Sequence, residues 1–261
     1  MTDLLVELYL AFLEAEHVPA NTIKARRRTL RSVGCPGEAD REMVEAWWAS
    51  RRDLAPATRS NDLANLRAFY KWCSRWEHRG DDPTVRLDAP HVPNGVPRPM
   101  SRADLHTLLS KLADDLRRAV CLGAYAGLRV SEAAALDWSD VDVEAKRARI
   151  LGKGQKTRLV ALSTLLIDQL LPDTGGNVVT AGGRPHSAAQ LQRRVNRAIA
   201  TAGVDATFHQ LRHRYGTIAY QATGDLLAVG RQMGHASPVT TAVYAAASDE
   251  VADRIAEAVV R

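Results

Sequence analysis

The chain has 261 residues, 46% hydrophobic and 25% charged, with a formal net charge of +5 and a pI near 9.3. That length supports one large or two modest domains, each with a core of its own, and the composition is that of a globular protein rather than a disordered or fibrous one. No apolar run approaches the ~20 residues of a membrane span and the N-terminus lacks a secretory pattern, so the expected location is the cytoplasm, with no membrane partner and, from the basic balance, a polyanionic one.

The first predicted elements are four helices. They run over residues 3–14, over 22–33 with Asn21 as N-cap, over 38–50, and from residues 56–58 toward Arg79. The last carries Leu63, Leu66, Phe69, Tyr70 and Trp72 at helical spacing, and these aromatics, with Trp47, Trp48 and Trp76, read as core. Residues 1–90 contain 14 Lys+Arg and 14 Asp+Glu, against 21 and 16 in residues 91–261. The N-terminal part must therefore contact a polyanion through a local patch. Lys24, Arg26, Arg27 and Arg28 on the second helix, with Arg59 on the fourth, supply one able to track phosphates or enter a groove.

A linker is predicted over residues 83–99, where Pro83, Pro90, Pro93, Pro97 and Pro99 remove backbone donors and favour extended geometry. A mainly helical second domain follows over residues 100–246, opening with Ser101 as a helix cap. Helices are expected over residues 102–112, 115–126, 131–136, 164–171, 187–202, 208–222, 225–233 and 238–246. Strands are expected over 147–151, 158–162 and 178–180, with Gly152 to Thr157 as the turn between the first two.

The chemistry lies in short ordered pieces: Gly127-Leu128-Arg129-Val130-Ser131-Glu132, His209-Gln210-Leu211-Arg212-His213, Met233-Gly234-His235 and Tyr244. A phosphodiester repels nucleophiles, so its attack requires positive charge around the phosphate oxygens. Arginine supplies that charge through a planar two-donor fork. A tyrosine hydroxyl becomes a nucleophile when a base or a positive field removes its proton, and a histidine can act as that base. The departing deoxyribose oxygen needs a proton, which a lysine on the turn can give; Lys153 and Lys156 both ride there. Taken singly, each piece also fits a solvated side chain. Lys156-Thr157 is not the end of a Walker phosphate loop, because Gln155 stands where that motif needs glycine. Cys35, Cys73 and Cys121 form no metal spacing and read as reduced, mostly buried thiols. His186, His209, His213 and His235 match no zinc signature, so no metal and no cofactor is expected.

Together these pieces resemble the tyrosine recombinases of the phage-integrase family along essentially the whole chain. The resemblance implies a mainly α fold: a four-helix, SAM-like core-binding domain over residues 1–82, then a mostly helical catalytic domain with a small antiparallel β-sheet. It maps the family's catalytic set onto Arg129, Lys153, His209, Arg212, His235 and Tyr244, with Glu132 in support. It implies strand cleavage and rejoining through a 3′-phosphotyrosine and a Holliday junction, without metal or ATP. The implied partners are double-stranded DNA at inverted-repeat core sites, three further copies of the chain joined through a C-terminal helix in residues 247–261, and an accessory directionality or host factor. Because the four-helix unit begins almost at Met1, no arm-binding domain is expected. The Ala- and Arg-rich composition favours a compact phage integrase, with a Xer-like resolvase of chromosome or plasmid dimers as the alternative. A type IB topoisomerase and a non-catalytic DNA-binding regulator are the remaining readings.

Overall fold

The computed structural model describes residues 3–93, 98–152, 156–171, 175–181, 183–235 and 241. The chain divides into two compact units, residues 1–94 and 95–261. No helix among the described residues is long and apolar enough to cross a membrane.

The first unit contains α1 (Leu4–Ala15), α2 (Ala20–Val33), α3 (Arg41–Ala49) and α4 (Pro56–Arg75). Its core collects Tyr9, Leu10, Leu30, Val44, Leu63, Leu66, Phe69 and Tyr70, so Phe69, Tyr70, Trp72 and Trp47 pack inside, as expected, and Trp48 packs against them partly buried; Trp76, expected in the core, is 51% exposed because it falls at the C-cap of α4. Asn21 is not the N-cap of α2. Pro19 is already extended and its carbonyl accepts from the Thr22 and Ile23 amides, which starts the helix at Ala20 and places Asn21 in its first turn. The third helix begins at Arg41 rather than residue 38, because Cys35–Ala39 closes a separate turn and Asp40 caps the Met43 amide at 2.8 Å. α4 stops at Arg75, short of Arg79: Glu77 takes φ +56, and Arg79 turns away to pair with Asp81. Thr84 and Leu87 are buried against this unit, within the stretch read as linker.

The second unit contains α5 (Arg102–Lys111), α6 (Asp114–Ala126), α7 (Val130–Ala135), a 3-10 turn (Trp138–Asp140), β1 (Val141–Asp142), β2 (Arg147–Leu151), β3 (Thr157–Ala161), α8 (Thr164–Leu170), β4 (Thr180–Ala181), β5 (Arg184–Pro185), α9 (Ala188–Thr201), α10 (Phe208–Thr223) and α11 (Leu226–Met233). β1, β2 and β3 form an antiparallel sheet in that order, and β4 pairs with β5. Two strand expectations shift. β3 starts one residue early, because its register pairs Leu151 with Thr157. Val178 and Val179 are fully buried core residues outside any strand, and the strand begins at Thr180.

α6 runs through the middle of this core, buried from Ala119 to Ala124 and at Ala126. Its small residues let α10 approach closely: a Cβ at Gly123 would lie 3.0 Å from the Phe208 ring. Leu122, Leu128, Ile150, Val160, Leu166, Leu191, Val195, Ile199 and Leu211 fill the rest. The pleat of β2 and β3 sends Ala148, Ile150 and Val160 inward. Arg158 shares the inward face of β3 with Val160.

Candidate active site

Gly127 ends α6 in a left-handed conformation, φ +65, with its amide bonded to the Leu122 carbonyl. A side chain there would be strained by that φ and would strike the Tyr215 ring at 2.5 Å. The sharp exit puts Arg129 at the N-cap of α7 and Glu132 one turn in. Glu132 folds back: Oε2 accepts the Arg129 amide at 2.8 Å and Oε1 accepts Nη1 of Arg129 at 2.9 Å. His209, Arg212 and His213 fall at i, i+3 and i+4 on one face of α10, and the two imidazoles meet edge to face at 4.4 Å.

α11 supplies the meeting point. It is capped at Asp225 and ends at Gly234 in the left-handed region, and the last carbonyls of a helix have no partners within it. Three arginines serve them. Arg158 donates Nε to the Gln232 carbonyl at 3.0 Å; Arg212 donates Nη2 to Met233 at 2.7 Å; Arg129 donates Nη2 to Gly234 at 2.9 Å and reaches Met233 at 3.4 Å. The negative end of the helix dipole favours cations at this place, and each charge-assisted bond contributes about 1.5–3 kcal/mol. Arg212, only 2% exposed, also donates to the Gly127 carbonyl, which links α6 to α11.

His235 follows directly. Its amide bonds the Gly230 carbonyl at 2.9 Å and its Nδ1 lies 2.8 Å from the Thr241 hydroxyl. Burial lowers the pKa of His235 to about 4, reinforced by Arg212, Arg129 and Arg158. His209 is lowered by burial, then by Arg212 and Arg129. Both imidazoles are therefore neutral at pH 7 and each keeps a lone pair able to accept a proton. The structure thus gathers Arg129, Glu132, His209, Arg212 and His235. Lys153 and Tyr244 lie outside the described residues, as do the helix expected over 238–246 apart from Thr241, and the tail from 247 to 261. The Gly152 amide donates to the Lys156 carbonyl at 2.8 Å.

Arg158 was not singled out from sequence. Its fork grips Glu132 with both nitrogens, Nη1 to Oε1 and Nη2 to Oε2, each at 2.9 Å. The available signal was its alternation with Val160 and Leu162 in a strand, since a charge on the inward face needs a buried partner.

The basic residues of the first unit divide by role. Lys24 is exposed. Arg28 is 69% exposed at its side chain and lies 3.6 Å from the buried Asp62. Arg27 pairs with Glu14 at 3.4 Å. Arg26 turns toward the core, donating to the Tyr9 hydroxyl at 2.7 Å, and Arg59 lies over the Trp48 ring at 4.4 Å. A groove of about 1180 Å³ runs along α2, lined by His17, Lys24, Arg27, Arg28 and Arg31. A second basic concavity, unpredicted from sequence, gathers Arg184, His186, Arg193, Arg194 and Arg197 around the start of α9.

Residues 100–251 match the model of the phage integrase family. The chain is 31% identical over 282 residues to the tyrosine recombinase XerD of Xanthomonas campestris pv. campestris, spanning 93% of this chain and 87% of that protein. It is 29% identical over 267 residues to the tyrosine recombinase XerC of Xylella fastidiosa, spanning 92% and 91%. Among solved structures, the integrase from mycobacterium phage Brujita is similar at 26% identity and a TM-score of 0.51, covering 98% of this chain and 91% of that one. A lambda integrase dimer bound to a core site shares the fold, with a TM-score of 0.76 at 15% identity, covering 90% and 95%. The chain belongs to the phage integrase family of tyrosine recombinases, enzymes that transfer DNA strands.

Proposed function

We propose that this recombinase is of the Xer type and resolves chromosome or plasmid dimers in the bacterial cytoplasm, rather than integrating a phage genome as the composition favoured. The support is that relatives matched over more than nine-tenths of the chain are XerD and XerC proteins. The Brujita integrase keeps phage integration as the second reading.

In the proposed reaction Arg129 and Arg212 hold the scissile phosphate, and neutral His209 and His235 stand ready to accept a proton or donate a hydrogen bond. The Tyr244 oxygen attacks phosphorus, the bond to the 5′-oxygen breaks, and Lys153 protonates the departing oxygen. The phosphotyrosine conserves the bond energy, so a 5′-hydroxyl from the partner duplex can reverse the step without ATP. Glu132 supports Arg129. Lys24, Arg26, Arg27, Arg28 and Arg59, together with Arg193 and Arg197, contribute charge toward DNA phosphates. The helix expected in residues 247–261 docks on a neighbouring copy in a tetramer spanning two duplexes.

The observation that carries the reading is the convergence of two arginines on one helix terminus beside two neutral histidines. Its test is a nicked duplex mixed with protein and resolved under denaturing conditions. The expected result is a protease-sensitive adduct that is absent in Tyr244→Phe and unaffected by EDTA. An adduct mapping elsewhere, or one that needs magnesium, overturns the mechanism. Sequencing the trapped DNA separates the roles: a dimer-resolution site supports the Xer reading, and a phage attachment junction supports integration. Loss of recombination but not of DNA binding on deleting residues 249–261 supports the tail assignment, and undiminished recombination overturns it.

A further inference from the structure

Glu132 has two oxygens and two arginines competing for them. The Arg158 fork covers both oxygens, so Arg129 reaches the carboxylate with a single side-chain nitrogen, and its other terminal nitrogen goes to the Gly234 carbonyl. Arg129 remains 39% exposed at its side chain, whereas Arg158 is 14% exposed and is bound on three nitrogens, the third on the Gln232 carbonyl. Of the two, Arg129 is the more accessible to a phosphate. Were the fork removed, the buried carboxylate would be left with Arg129 as its cation, and an arginine drawn into a two-point pair with Glu132 would turn away from the solvent-facing side. The backbone around Arg158 is shaped to keep it in place: a Cβ at Gly234 would come within 2.7 Å of its guanidinium carbon.

We propose that Arg158 is a positioning residue that occupies Glu132 so that Arg129 stays directed at DNA phosphate, and that it thereby couples β3 to the α11 terminus. The inference rests on the proposed phosphate role of Arg129.

The test uses the full chain and a nicked duplex under single-turnover conditions. In Arg158→Lys the charge remains but a point ammonium cannot cover both oxygens. Cleavage is expected to fall about 10- to 100-fold, while DNA affinity stays within about threefold, as expected when geometry rather than contact is lost. Adding Glu132→Gln removes the competitor and is expected to recover about tenfold of that loss, a suppression that a merely structural role would not give. Wild-type cleavage in Arg158→Lys overturns the proposal, as does a double variant whose loss equals the product of the singles, or a parallel fall in affinity. Arg129→Ala in the same assay keeps the two readings apart: wild-type cleavage there removes the phosphate role itself, whereas an impaired Arg129→Ala beside an intact Arg158→Lys removes only the positioning role. If Arg158→Lys does not fold, Arg158→Gln read against Arg158→Gln combined with Glu132→Gln should give the same split between cleavage and affinity and the same recovery.

Discussion

Among the described residues each unit buries one carboxylate and uses it to hold two arginines, but they hold them differently. In the first, Asp62 binds Arg51 through Nε at 3.1 Å and Nη2 at 2.5 Å, accepts from the Thr29 hydroxyl at 2.9 Å, and lies 3.6 Å from the exposed Arg28. In the second, Glu132 binds Arg158 and Arg129 at 2.9 Å, and both arginines are tied again by carbonyls at the end of α11. In each pair a deeply set arginine neutralises the acid and a more exposed one stands at the edge. The looser arrangement suits charge that follows a DNA backbone, because Coulomb attraction changes slowly with distance. The tighter one suits bond breaking, where a displacement of about 1 Å can cost on the order of 100-fold.

The comparison is broken most easily at Arg212, the most deeply buried arginine among the described residues. Arg212→Ala strands the Gly127 carbonyl, at a cost of about 1–3 kcal/mol when buried and unpaired, leaves the Met233 carbonyl only its 3.4 Å bond from Arg129, and is expected to reduce adduct formation by about 100-fold or more. Single-turnover cleavage beside urea denaturation measures both, and near-normal cleavage would dissolve the site. The next effect compares the acids directly. Glu132→Ala and Asp62→Ala should each destabilise the protein by about 3 kcal/mol, because each removes the carboxylate that neutralises a largely buried arginine, Arg158 or Arg51. Only Glu132→Ala should still be impaired at saturating DNA; a cleavage defect in Asp62→Ala under the same conditions would mean that the first unit also sets the chemistry.

Smaller effects sharpen the contrast within α2. Arg28→Ala should lower DNA affinity and reduce the salt dependence of binding by about 0.9 in the log–log slope, one phosphate contact's share. Arg26→Ala should in addition cost about 1 kcal/mol of stability for the lost Tyr9 bond; equal stability in the two variants would contradict their different burial. A last effect is on pH. His209 is lowered from its ordinary value, and His213 and His235 are lowered to about 4, in each case mainly by burial. The unfolded chain therefore binds more protons between pH ~6.5 and about 4, so stability is full above that window and falls as pH falls through it. The melting temperature of the wild type should drop on acidification from pH 7.5 to 5, and His213→Gln should drop less. An identical drop would place the acid sensitivity elsewhere.

Much of this was legible locally. The i, i+3, i+4 spacing of His209, Arg212 and His213 put them on one helix face, and Gly127 marked the end of the helix expected over residues 115–126. The aromatics of α4 read as core because apolar residues at helical spacing must bury a stripe. Boundaries were less legible where another residue took the cap, as Pro19 and Asp40 did for α2 and α3.

What sequence alone determined was the set of residues able to share a face, the order of the motifs and the charge available to each unit. Tertiary structure decided which charges became partners. Arg129 meets Gly234 across 105 positions, Arg158 meets Gln232 across 74, and Arg26 turns to Tyr9 across 17. Local periodicity fixes direction around a helix or strand, but not what waits there. A buried charge is tolerated only where folding brings its counter-charge within hydrogen-bonding distance.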